Sequence, residues 1–124
     1  MKSNLEQAKE FRKAYGIKSS EDLKTRSYQR LLIKEEYEEF DEAEGMLFRN
    51  NDIFKEECLK ELGDLVYVCY QYAANMGWDL DRALERIHES NMSKLDEDGK
   101  PIKRDDGKVL KGPNYRTPTL TDLI

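Results

Sequence analysis

The chain has 124 residues, with 26 acidic and 21 basic side chains and a formal net charge of −5, a length typical of a single domain. No basic stripe suited to a phosphate backbone interrupts the acidic central region, so we expect no nucleic acid partner. The charged N-terminal segment and the absence of any run of about 20 apolar residues predict a cytoplasmic protein that does not bind a membrane. Two cysteines and one histidine cannot supply the four ligands of a Cys/His zinc site.

Two helices are predicted in the first part of the chain. The pattern Ser3-Asn4-Leu5-Glu6 is a capping box, and apolar residues at helical spacing follow it until Gly16. Ser19 or Ser20 is expected to cap a second, longer helix that is rich in acidic residues and ends near residues 49–52.

Two further helices are predicted in the middle of the chain. Asn51 or Asp52 is expected to cap the third, which is apolar on nearly every face over residues 62–76. Such a helix is typical of an element enclosed by partners. Asp79 is expected to cap the fourth helix, which continues to about Lys94.

The segment after residue 95 differs in character, because two Asp-Gly turn signals and three prolines exclude a long helix there. We therefore predict an all-α fold, an antiparallel bundle of about four helices completed by oligomerisation, with a short irregular or hairpin-like tail. The predicted division is a helical domain at residues 1–95 and a tail at 96–124, which covers the functional site or a neighbouring subunit.

Carboxylates in core-like positions are the main functional signal. Glu61 and Asp64 share one face of the third helix, and Glu36 and Glu39 share one face of the second. Burying ionised carboxylates without partners costs several kcal/mol each, so cations must accompany them. The alternative for the second helix is an ordinary solvated acidic face.

Two neighbouring antiparallel helices would bring these four carboxylates into one small volume. All-oxygen ligand sets select hard cations, so Mg²⁺ is expected there, with Mn²⁺ as a possible substitute. Gly63 lies between the acids and costs about 1 kcal/mol relative to alanine inside a helix. Either a close approach to its backbone or tight helix packing would explain it.

The segments Glu35-Glu36-Tyr37-Glu38-Glu39 and Glu61-Leu62-Gly63-Asp64 resemble the EExxE and ExxD motifs of MazG-like nucleotide pyrophosphohydrolases. The segment at residues 77–94 is similar to the last helix of that family, and the resemblance covers about residues 20–95. It implies hydrolysis of a nucleoside triphosphate, usually a deoxyribonucleotide, between the α and β phosphates, giving the monophosphate and pyrophosphate. A homodimer or homotetramer is the expected assembly.

The resemblance also implies roles for individual residues. The four Mg²⁺ ligands would be Glu36, Glu39, Glu61 and Asp64. Glu35 would orient or deprotonate the attacking water, or would be a surface acid.

Four further residues are candidates for binding the substrate. The resemblance gives Asn91 and Lys94 a phosphate-binding role; the alternative is the amide and cation that a helix C-terminus favours anyway. In the tail, Lys111 and Tyr115 are candidates from charge alone.

Two other functions stay open at this point. One is a phosphoribosyl-ATP pyrophosphohydrolase, a related enzyme with similar helices. The other is a non-enzymatic helical interaction module whose acids are solvated and whose apolar stripe binds a partner helix.

Overall fold

Four α-helices account for the regular structure of the chain in a computed structural model, which describes the backbone of residues 1–124 and every side chain except those of residues 48, 50, 51 and 52. The helices are α1 (Asn4–Ala14), α2 (Leu23–Asn50), α3 (Lys55–Met76) and α4 (Leu80–Met92), and a 3₁₀ turn (Asn51–Phe54) precedes α3. The described backbone contains no β-strand. Within the described residues, none of the four helices has the length and apolar character required to span a bilayer. The predicted all-α fold with four helices is confirmed.

The start of α1 is as predicted, but the start of α2 is not. The Ser3 hydroxyl accepts a hydrogen bond from the backbone N–H of Glu6, and the Glu6 carboxylate accepts one from the backbone N–H of Ser3, which completes the capping box. In α2, Asp22 is the cap, because its carboxylate accepts a hydrogen bond of 2.7 Å from the backbone N–H of Thr25. Ser20 instead accepts a hydrogen bond from the backbone N–H of Asp22. The predicted cap at Ser19 or Ser20 is therefore wrong.

Glycine and aspartate separate α3 from α4. The α3 helix begins at Lys55, and Phe54 occupies the N-cap position without a side-chain hydrogen bond, so the cap is not at Asn51 or Asp52 as predicted. The side chains of those two residues lie outside the described part of the chain. Gly77 ends α3 in the left-handed conformation, with φ of 74°, which a residue without a Cβ adopts at little cost. The Asp79 side chain accepts a hydrogen bond from the backbone of Arg82 and caps α4, as predicted.

Residues 1–78 form the first of two compact units, and α3 is its central helix. The α2 helix runs antiparallel to α3, because Ser20 bonds to Asn75 near one end and Glu44 bonds to Cys58 near the other. This arrangement places the second half of α2 beside the first half of α3. The predicted carboxylates lie on those two segments.

The α1 helix packs on α3 through a buried polar network. The Arg12 guanidinium, whose residue is 4% exposed, donates hydrogen bonds to Gln71 and Asn75 of α3 and to the Lys18 carbonyl. Asn75 also bonds to both backbone groups of Ser20. Burial lowers the pKa of Arg12. The network fixes the start of α2 against the end of α3.

Residues 79–124 form the second unit, in which the C-terminal segment returns along α4. Arg86 makes a bidentate ion pair with Asp122, and the Asp79 backbone N–H donates a hydrogen bond to the Leu123 carbonyl. An isolated antiparallel bridge joins Lys103 to Val109, so the tail contains the predicted hairpin-like turn. The predicted functional division into residues 1–95 and 96–124 stays a prediction.

One face of α3 is apolar yet uncovered in the single chain. Leu59 is 69% exposed and Val66 is 45% exposed, and both line a cavity of about 360 Å³ with Leu62, Gly63 and Tyr67. A Cβ added at Gly63 would meet no neighbouring atom within 4 Å. Among the described residues of one chain, neither a close approach to the Gly63 backbone nor tight helix packing therefore explains this glycine.

Candidate active site

Three of the predicted carboxylates converge between α2 and α3. Glu36 and Glu39 lie one helical turn apart on α2, and Glu61 lies opposite them on α3. One oxygen from each of the three lies within 4.8 Å of the others. We call these residues the carboxylate triad. The spacing of three residues on one antiparallel helix and the register with its neighbour bring the oxygens together.

The triad is partly removed from water and lacks enough hydrogen-bond donors. Glu61 is 7% exposed, and one carboxylate oxygen each of Glu36 and Glu61 is buried without a hydrogen-bond partner. Burial raises the pKa of Glu36, and a hydrogen bond with Glu39 and the charges of Glu39, Asp64 and Glu61 raise it further. Such oxygens cost free energy unless a cation or a proton reaches them.

Asp64, the fourth predicted ligand, is not a member of the triad. Its carboxylate accepts an ion-pair contact of 2.9 Å from Lys60 Nζ, one helical turn earlier on α3. The spacing of four residues places the ammonium and this carboxylate on the same side of the helix. The structure therefore places Asp64 beside the triad, and its role as a ligand stays a prediction.

Lys60 is one of the site residues that sequence reasoning missed. Its ammonium also lies 3.4 Å from Glu61 Oε1, although Lys60 lies outside the apolar stripe that contains both acids. The neighbouring carboxylates raise the pKa of Lys60, with the hydrogen bond to Asp64 as the largest cause. The available signal was the spacing of four residues between Lys60 and Asp64, which brings two side chains together on a helix.

A cavity of about 260 Å³ opens beside the triad and is lined by Glu39 and Glu61. Two further acids, Glu42 and Glu57, line the same cavity, which also has apolar walls formed by Ala43, Met46 and Phe54. Glu42 lies three residues after Glu39, and Glu57 lies four residues before Glu61, so helical spacing indicated both. They were missed because an acidic run is usually a solvated face.

Glu35, the predicted catalytic acid or base, lies on α2 next to Glu36 and is exposed. It is not one of the three carboxylates that converge. Consecutive residues on a helix point about 100° apart, so Glu35 and Glu36 project from different faces. The role predicted for Glu35 stays a prediction.

The second unit brings together three of the four residues predicted to bind substrate. The Lys111 ammonium lies 4.8 Å from the centre of the Tyr115 ring. Hydrogen bonds with Thr117 and Ser90 lower the pKa of Tyr115, and the charges of Lys111 and Lys94 lower it further. Lys94, Lys111 and Tyr115 therefore form one cationic cluster beyond the end of α4. Asn91 is exposed on the last turn of that helix.

The donor set of the triad fits a hard divalent cation. All three residues offer carboxylate oxygens, and no histidine or cysteine among the described residues joins the group. Mg²⁺ prefers a few carboxylates together with water and substrate phosphates. The two buried oxygens without partners are the positions where such an ion would be bound.

The model of the phosphoribosyl-ATP pyrophosphohydrolase family matches residues 6–91 of the chain. The chain belongs to this family. It is therefore an enzyme, a pyrophosphohydrolase that acts on phosphoric anhydrides. The family shares the all-alpha nucleoside triphosphate pyrophosphatase superfamily with MazG; membership in the narrower MazG-like group stays a prediction. No curated protein matches the chain.

The part of the chain that matches the phosphoribosyl-ATP pyrophosphohydrolase family includes the carboxylate triad, Lys60 and Asp64. It also includes Asn91 but ends before Lys94 and the tail. The family therefore supports a nucleotide pyrophosphohydrolase activity in general, with the acidic site inside the matched region. A non-enzymatic interaction module is excluded as the function of the chain.

The raised pKa of Glu36 predicts how the stability of the metal-free pyrophosphohydrolase depends on pH. Above the ordinary glutamate pKa of 4.5, the Glu36 carboxyl holds its proton more tightly in the folded state than in the unfolded state. The free energy of unfolding should therefore fall as pH rises from about 4.5 toward neutrality. Glu36→Gln should flatten this decline, measured by urea unfolding in EDTA across that range. The exposed control Glu38→Gln should follow the parent curve, and parallel curves for all three proteins would refute the assignment.

Proposed function

We propose that the chain is a Mg²⁺-dependent nucleoside triphosphate pyrophosphohydrolase, which cleaves between the α and β phosphates and releases the monophosphate and pyrophosphate. The observation that carries this proposal is the carboxylate triad, with two buried oxygens that lack partners. A site of this composition needs divalent cations. Hydrolysis of a polyphosphate anhydride needs them as well, because several negative charges must be neutralised together.

Each acidic residue has a proposed task in this reaction. Glu36, Glu39 and Glu61 hold the metal through carboxylate oxygens, and Asp64 is the proposed fourth ligand. When bound, Mg²⁺ supplies charge neutralisation for the polyphosphate and lowers the pKa of a coordinated water. Glu35 is proposed to orient or deprotonate the attacking water from the neighbouring position on α2.

The cationic cluster of the second unit is proposed to bind the phosphates of the substrate. Lys94 and Lys111 offer ammonium groups, which bind phosphate oxygens as point charges. Tyr115 supplies a hydroxyl and holds Lys111 over its ring. Asn91 would add an amide from the last turn of α4.

Phosphoribosyl-ATP is the second candidate substrate, and the family match favours it. An enzyme for either substrate needs an acidic metal site of the same kind, so the site geometry does not separate them. A panel of deoxynucleoside triphosphates, ribonucleoside triphosphates and phosphoribosyl-ATP, with identification of the products, distinguishes the two substrates directly. We expect pyrophosphate and a monophosphate product from the true substrate, and only with Mg²⁺ or Mn²⁺ present.

Glu61→Gln should lower turnover strongly, because it replaces the most buried carboxylate of the triad with a neutral amide. We expect a loss of at least roughly 100-fold, since even the outer partners of metal sites typically contribute 10- to 100-fold. The readout is pyrophosphate release with the best substrate of the panel at saturating Mg²⁺. The matched control is Glu38→Gln on the exposed side of α2, which should retain activity within about twofold. Full turnover of Glu61→Gln would contradict the proposed site.

We also propose that the protein is a homodimer or homotetramer in which a second copy covers the exposed apolar face of α3. The support is the row of exposed residues that includes Leu59, Leu62 and Val66, together with the open space beside Gly63. Exposed apolar surface of this kind is typical of interaction sites.

Light scattering at micromolar concentration should show a multiple of the 14.6 kDa chain mass. Val66→Glu should shift the mass toward that of the single chain, because a buried charge would disrupt the interface. The control Lys9→Glu, on an exposed position of α1, should leave the mass unchanged. A folded single chain in the parent protein would count decisively against the assembly.

A further inference from the structure

The side chain of Lys60 lies beside the proposed metal site. Its ammonium contacts Asp64 Oδ2 at 2.9 Å and Glu61 Oε1 at 3.4 Å. Both carboxylates are proposed metal ligands. Lys60 itself precedes Glu61 directly and belongs to neither acidic motif.

We propose that Lys60 is a built-in counter-ion of the active site, which neutralises Asp64 and Glu61 in the metal-free enzyme and competes with the divalent cation for them. This inference rests on the proposed metal-dependent function. In this role Lys60 is a positioning residue, which determines how tightly the metal ion binds and when Asp64 is free to bind that ion.

The charge balance of the site supports this role of Lys60. The triad and Asp64 carry four negative charges when ionised, and Lys60 contributes one positive charge within contact distance. One ammonium cannot satisfy this site: Glu61 Oε1 has the contact, whereas Glu61 Oε2 and Glu36 Oε2 remain buried without partners. A second, stronger cation is therefore still required when Lys60 is in place.

The position of the Asp64 carboxylate also supports this role of Lys60. Its oxygens are not within the group formed by the triad, and Oδ2 lies 2.9 Å from the Lys60 ammonium. For Asp64 to bind an ion held by the triad through Oδ2, the ammonium must move away from that oxygen. Lys60 can do so readily, because its side chain is 61% exposed and the departing ammonium returns to water.

Helix stabilisation does not explain the contact. In an ion pair four residues apart, the favourable order for the helix dipole has the acid first and the base second. Lys60 and Asp64 have the reverse order. An exposed pair of this kind contributes little to stability, so the contact acts mainly on the local charge of the site.

The test measures metal binding by the intact protein without substrate. Mn²⁺ is titrated into the parent protein, Lys60→Met, Lys60→Arg and Lys34→Met, and free Mn²⁺ is followed by electron paramagnetic resonance. Lys60→Met should bind Mn²⁺ about three- to fivefold more tightly, the upper end of the scale of one part-exposed charge interaction. Lys60→Arg keeps the charge and should stay within about twofold of the parent. Lys34→Met is the matched control, because it removes an ammonium that pairs with Glu38 at 4.0 Å on the exposed side of α2.

A second readout separates competition from a purely structural role. Without metal, Lys60→Met should have a slightly lower melting temperature than the parent, because the repulsion among the carboxylates is then unopposed. Saturating Mg²⁺ should remove that difference, so the rise in melting temperature on adding Mg²⁺ is larger for the variant. Circular dichroism checks that each variant retains its helices.

The outcomes distinguish this inference from the proposed function. If the parent protein binds no Mn²⁺ at millimolar concentration, the metal-dependent function fails, and the competition fails with it. If the parent binds Mn²⁺ but Lys60→Met binds it equally or more weakly, the counter-ion role alone is overturned. Tighter binding by both Lys60→Met and Lys34→Met would show a general charge effect and would also overturn it.

Discussion

The confined negative charge between α2 and α3 is the constraint on which the rest of the site depends. Three carboxylates meet within 4.8 Å, and two of their oxygens are buried without a partner. The free energy cost of this arrangement is tolerable only if positive charge reaches it. Lys60 supplies part of that charge within the chain, and we propose that a divalent cation supplies the remainder. The register of the two helices thus concentrates negative charge that requires a cation.

The fold of the first unit maintains the register between α2 and α3. Asn75 and Arg12 tie the end of α3 to α1 and to the start of α2, so the antiparallel pair cannot slide without breaking buried hydrogen bonds. Their loss would leave buried polar groups unsatisfied, which is costly. Because α2 is long, its second half extends back beside the start of α3. A polar network at one end of the helix pair therefore helps to position acids near the other.

Sequence reasoning was most successful where one local rule determines the outcome. The capping box at Ser3, the cap at Asp79 and the left-handed Gly77 follow from local chemistry. Helical spacing, together with the expected antiparallel pairing of the two helices, was sufficient to predict that Glu36, Glu39 and Glu61 converge. It failed where several neighbours compete. Asp22 and the serines before it were all suitable caps for α2, and only the folded backbone shows which one faces the free N–H groups. Likewise, the stripe of α3 excluded Lys60, yet Lys60 lies one turn before Asp64 and its flexible side chain contacts that carboxylate.

Anomalous scattering from crystals soaked in Mn²⁺ is the most direct test of the central claim. Mn²⁺ can stand in for Mg²⁺ at carboxylate sites, and its anomalous signal locates the ion without reference to activity. We expect a peak within bonding distance of oxygens from Glu36, Glu39 and Glu61, with the Lys60 ammonium moved away from Asp64. Crystals that hold Mn²⁺ elsewhere, or none at all at millimolar concentration, would contradict the assignment of this carboxylate cluster as the metal site.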